Sequence, residues 1–144
     1  MNACVFCKIV NRTLDAEILF ENEQALAILD INPIHHGHAL VLPKVHCSDF
    51  LALPPVTFQK MMEAVQVVAK AMTRALKLEG FNIFSNNGRI AGQSVFHFHF
   101  HITPRYKNDN IRFVLELKKY ANGEMRKYGD LIRQNITTIS SKDY

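Results

Sequence analysis

The sequence predicts an α+β fold: an antiparallel five-stranded sheet with one long helix and a C-terminal helix. Three observations carry this. Short apolar runs alternate with polar, hairpin-like breaks. One long stretch after Pro55 keeps a three–four apolar spacing. Strand and helix signals interleave in a chain of 144 residues with 48% hydrophobic content, enough for one substantial core.

Taken in order, residues 17–21 and 25–30 read as strands joined by the turn Asn22-Glu23-Gln24. Residues 39–42 form a third strand, stopped by Pro43, which has no N–H to give a ladder. Pro55 suits the first turn of the long helix, whose apolar face runs through Phe58, Met61, Met62, Val65, Val68 and Met72. Gly80 is expected to end it in a left-handed conformation. Strands follow at 81–85 and 96–102, the latter closing at Pro104. Residues 111–120 fit strand or helix equally, residues 123–136 read as helix, and the Ser/Thr-rich end is expected to fray. No repeat or linker divides the chain. Residues 1–106 read as the domain core and 107–144 as a C-terminal extension of it.

Seventeen Lys and Arg against thirteen Asp and Glu leave a charge of +4, which favours an anionic ligand. No basic stripe or recognition helix marks a nucleic-acid binder, and no apolar run is long enough for a membrane helix. The N-terminal residues carry no basic-then-apolar secretory pattern, so a cytoplasmic protein is expected.

Chemistry concentrates in Phe96-His97-Phe98-His99-Phe100-His101-Ile102. On a strand, alternate side chains share a face, so the three imidazoles would recur about every 6.6–7 Å on one side and the apolar residues would enter the core on the other. Histidine is the side chain whose proton moves near neutral pH. The pattern admits a nucleophilic imidazole attacking phosphorus or carbonyl, a three-histidine metal site, or structural histidines. Just upstream, Gly88 and Gly92 allow a close backbone approach to a ligand, and Gln93 and Ser94 offer donors to phosphate oxygens.

Cys4 and Cys7 form a Cys-x-x-Cys pair with too little chain before it for the βα unit of a redox motif. With His46 and His97 they would complete a Cys₂His₂ zinc tetrahedron; metal-free thiols are the other reading. Cys47 reads as a bystander.

The run Gly92-Gln93-Ser94-Val95-Phe96-His97-Phe98-His99-Phe100-His101-Ile102 resembles the signature of the histidine triad superfamily, in its nucleoside-phosphoramidate hydrolase branch. Cys4-x-x-Cys7, Asp30, His38, Pro43-Lys44-x-His46 and Pro104-Arg105-Tyr106 also fall where bacterial members of that branch have them. The resemblance covers residues 4–106. It implies that His99 attacks the α-phosphate of a purine nucleotide such as an AMP derivative, forming a nucleotidyl-histidine that water releases. His101 would bind or protonate around the phosphate, and His38 would belong to the same hydrogen-bond network. Asp30 would hold the ribose hydroxyls, with Asn86, Gln93 and Ser94 near phosphate or ribose and Gly92 turning the chain beside them. Ile28 stands where some relatives place an aromatic and would pack against the purine. Zinc held by Cys4, Cys7, His46 and His97 would be structural, with no catalytic metal required. The resemblance further implies a homodimer sharing a ten-stranded sheet. Dinucleoside polyphosphate hydrolysis and non-catalytic nucleotide binding are the alternatives, and Arg105, Lys107 and Arg112 are candidates for reaching a polyphosphate.

Overall fold

A computed structural model describes residues 4–136, so the Ser/Thr-rich end lies outside the described residues. The chain divides into one unit up to Asn110 and a second from Ile111. The first begins with α1 (Val5–Val10) and continues through β1 (Ile18–Glu21), β2 (Ala25–Leu29) and β3 (Ala39–Pro43). Then come α2 (Pro55–Leu76), β4 (Gly80–Phe84) and β5 (Phe100–Arg105). The five strands form one antiparallel sheet, as the sequence predicts, and their order is β1-β2-β3-β5-β4.

Strand alternation gives the sheet two cores. Ala25, Ala27, Ala39 and Val41 face α2 and are covered by Met61, Val65 and Val68. The small alanines let the helix approach closely. On the opposite face Leu26, Ile28, Leu40 and Leu42 are covered by Phe6 and Ile9 of α1. Burying each such large side chain contributes about 1.5–3 kcal/mol before entropy is counted. The six-residue α1 has no signal in the sequence pattern, because a helix this short exists only through the packing of Phe6 and Ile9.

Three expectations change. The left-handed residue that stops α2 is Lys77 (φ 52°), while Gly80 already belongs to β4. The histidine strand starts at Phe100 rather than Phe96, so His97 and His99 precede it. The reason lies in β3. Pairing of β3 with β5 stops at Val41↔Phe100, and beyond it Pro43 cannot donate to a ladder. The chain instead anchors through the Phe98 N–H to the Cys47 carbonyl at 2.7 Å. Phe96 accordingly is not core: it is 40% exposed, with the Arg89 guanidinium 5.0 Å from its ring centroid. Phe98 and Ile102 are fully buried as expected.

In the second unit residues 111–120 form neither helix nor strand, and α3 (Glu124–Gln134) follows a left-handed Gly123.

Candidate active site and metal centre

The edge-to-centre pairing of β3, β5 and β4 brings together residues far apart in sequence. Leu40 pairs with His101, and His101 with Phe84, so His101 stands on the α1 side of the sheet. The Phe84 ring stacks on the His101 ring at 4.5 Å and 9°. His38, just before β3, is 2% exposed and lies against the same imidazole.

The hydrogen bonds fix the tautomers. The Ile34 N–H donates to His38 Nδ1 at 3.1 Å, so the His38 proton resides on Nε2. That Nε2–H donates to His101 Nδ1 at 2.9 Å, leaving the His101 proton on its own Nε2. His99 is 8% exposed, and its Nδ1–H donates to the His97 carbonyl at 2.8 Å. The Nε2 of His99 is therefore the lone-pair nitrogen. The two rings are 4.8 Å apart between centroids. Despite the late start of β5, His99 and His101 thus remain neighbours.

Burial lowers the affinity of all three imidazoles for a second proton. His99 is pulled below the ordinary range by burial, partly offset by its bond to the His97 carbonyl and by Asp30. His38 is lowered by burial first, with Asp30 opposing. His101 is pushed down to about 4 by burial, then by His99 and His38. His101 is therefore neutral at pH 7, and its Nε2–H acts as an uncharged donor.

Asp30 accepts the Asn32 N–H at 2.8 Å on one carboxylate oxygen, and the other lies 3.6 Å from His38 Nδ1. With that nitrogen unprotonated, the contact is not an ion pair, and the carboxylate keeps capacity for further donors. Ile28 is buried beneath α1 in the second core, so it supports the site from below. Asn86 donates weakly to the Gly92 carbonyl at 3.4 Å, and Gly92 takes φ 86°, a conformation L side chains avoid. Ser94 is exposed.

Gln93 differs from expectation. It is 5% exposed, and its amide donates to the Ser48 carbonyl at 2.6 Å and the Val95 carbonyl at 3.2 Å. Its Oε1 accepts the Gly88 N–H at 2.8 Å. With both N–H groups spent on carbonyls, the side chain braces the loop and is not turned to a ligand. Arg105 is likewise committed, gripping Asp109 with Nε at 2.7 Å and Asn82 with Nη1 at 2.8 Å. Phe6 and Phe84 are the site residues the sequence pattern does not reveal: both gain their role only when the sheet is assembled.

Cys4 caps α1, Cys7 sits within it, and with His46 and His97 they place four ligand atoms within 4.8 Å of one another. Sγ of Cys4 and Sγ of Cys7 each lie 3.5 Å from His97 Nδ1, and Cys7 Sγ lies 3.3 Å from His46 Nδ1. Tetrahedral zinc with ordinary Zn–S and Zn–N lengths requires an S···N edge of about 3.6 Å. The opposite nitrogen of His97 donates to the Pro43 carbonyl at 2.8 Å, which frees Nδ1 as a ligand and fixes the ring. Burial also holds His97 neutral. The donor set fits zinc.

The HIT domain family profile matches residues 11–108. The chain belongs to the HIT family. An uncharacterized HIT-like protein of Methanocaldococcus jannaschii is 40% identical over 136 residues, covering 94% of this chain and 95% of its own. Adenylylsulfatase HINT3 of Arabidopsis thaliana is 41% identical over 120 residues, 83% of this chain and 61% of its own. Adenosine 5'-monophosphoramidase HNT1 of Saccharomyces cerevisiae is 38% identical over 103 residues, 72% of this chain and 63% of its own. Among solved structures, a HIT family member from Bacillus subtilis superposes with a TM-score of 0.89 at 31% identity, over 95% of this chain and 99% of its own. A Zn-bound histidine triad family protein from Mycobacterium smegmatis does so with a TM-score of 0.73 at 36% identity, over 92% and 97%. Among the described residues of this HIT protein, no helix is long and apolar enough to cross a membrane.

Proposed function

We propose that this HIT protein is a nucleotide hydrolase that cleaves the α-phosphate bond of AMP-type purine nucleoside monophosphate derivatives. The observation that carries the reading is the 2.8 Å bond from His99 Nδ1–H to the His97 carbonyl, which leaves Nε2 free to attack. As the Nε2–phosphorus bond forms, the bond to the leaving amine breaks and the amine departs with a proton taken from water. The nucleotidyl-imidazole then carries the positive charge, and its Nδ1–H bonds the same carbonyl more strongly. Water attacks phosphorus, the Nε2–phosphorus bond breaks, the nucleoside monophosphate leaves, and the proton borrowed in the first step returns to solvent. The His101 Nε2–H, pre-set by His38, donates to the phosphate oxygens on which charge gathers. Asp30 accepts the ribose hydroxyls, and Ser94 donates at the entrance.

The names of the Arabidopsis and yeast relatives support this class of substrate: one is an adenylylsulfatase, the other an adenosine 5'-monophosphoramidase. Zinc at Cys4, Cys7, His46 and His97 would be structural, pinning α1 to the start of the histidine segment. A homodimer fits β4, one of the two edge strands, which exposes Phe81 and Ile83 beside Met62 of α2.

The test is turnover of an AMP–amine conjugate set against diadenosine polyphosphates. Wild-type protein should hydrolyse the conjugate faster, and His99→Ala should lose at least about 10³-fold, as a missing nucleophile does. A preference for the polyphosphates would favour the dinucleotide reading. Tight AMP binding without turnover of either would refute hydrolysis.

A further inference from the structure

The metal cluster and the nucleophile touch at two points. His97, a ligand through Nδ1, lends its own backbone carbonyl to His99 Nδ1–H at 2.8 Å. Phe6 lies between Cys4, which caps α1, and Cys7 within it, and its ring meets His97 edge-on at 5.7 Å and His99 at 5.1 Å. Phe6 is 6% exposed and His99 8%, so the two rings pack against each other away from solvent. Cys4 Sγ and Cys7 Sγ both reach the His97 ring, so whatever holds those four side chains together also sets where Phe6 and the His97 peptide stand.

We propose that Phe6 and the His97 peptide are positioning groups that transmit the closed Cys4–Cys7–His46–His97 cluster to the nucleophile. With the cluster closed on zinc, the His97 carbonyl points at His99 Nδ1 and Phe6 blocks rotation of the His99 ring. With it open, α1 keeps the packing of Phe6 and Ile9 but loses its tether to His97, and His99 can flip or exchange its proton between nitrogens. Rings that then carry the proton on Nε2 cannot attack phosphorus. The inference rests on the reading of His99 as nucleophile, but its first readout does not require catalysis.

The experiment uses the full chain with ¹⁵N-labelled histidine rings. Long-range ¹H–¹⁵N correlations on the zinc-loaded protein should show His99 as a single tautomer with its proton on Nδ1. Stripping zinc with a chelator should convert that signal to a mixture of tautomers. So should Phe6→Leu in the zinc-loaded protein, with zinc content unchanged. In Phe6→Leu the kcat on an AMP–amine conjugate should fall about 10- to 100-fold, the cost of a small misplacement, while KM stays within about twofold. A His99 that keeps one Nδ1–H tautomer in both samples overturns the proposal, as does a mixed tautomer in the loaded wild type. Should the stripped chain unfold, the loaded Phe6→Leu protein decides alone. A tautomer that shifts in a protein without any turnover sinks the hydrolase reading and leaves the positioning role standing.

Discussion

His38 and His101 share one hydrogen bond, and burial holds both below the ordinary imidazole range. An unfolded histidine protonates near pH 6.5, whereas folded His101 waits until about 4. Between those values the unfolded chain binds protons that the folded chain refuses, so stability is full above the unfolded value and falls as pH drops toward 4. Denaturant midpoints taken at pH 7.5, 6 and 5 should decline in that order, and His101→Gln should flatten the decline; a midpoint that rises on acidification contradicts it. Gln93 gives a second prediction. Removing its amide orphans the Ser48 and Val95 carbonyls and the Gly88 N–H, so Gln93→Ala should cost about 1–3 kcal/mol in denaturant unfolding. An unchanged midpoint would return Gln93 to the ligand. The triad itself was legible because its signal is local, an alternation within seven residues. The Gln93 brace was not, because its partner Ser48 lies 45 positions away in sequence.

At the level of elements, strands and α2 follow from period and punctuation, and the late start of the histidine strand has a cause outside its own pattern. Alternation announces which residues share a face but not where pairing stops. Pro43 ends the ladder from the partner strand, so the histidine segment bends at its start while Phe98 still drops into the core. Phe98→Ala should therefore cost about 3–5 kcal/mol, although it lies outside any regular strand. A loss below about 1 kcal/mol would show that the segment tolerates collapse there. The end of α2 was misplaced because a glycine was available at position 80 and a lysine was used at 77. Lys77 pays a left-handed cost of about 1 kcal/mol, so Lys77→Gly should raise the melting temperature by a few degrees.

For the whole molecule, the ordering of five strands leaves β4 as an edge with Phe81 and Ile83 exposed, where a second copy could extend the sheet. Ile83→Asp should halve the mass seen by sedimentation if two copies join there, and leave it unaltered if they do not. The folded sheet brings Phe6 of α1 against His99, and His38 and Phe84 against His101, which no single motif could show. The most direct measurement is quench-flow with a nucleotide labelled on its α-phosphate, followed by peptide mass spectrometry. A transient nucleotidyl group should appear on Nε2 of His99, formed and lost at rates matching turnover. Label on another residue, or turnover with no protein-bound nucleotide at any time, would contradict it.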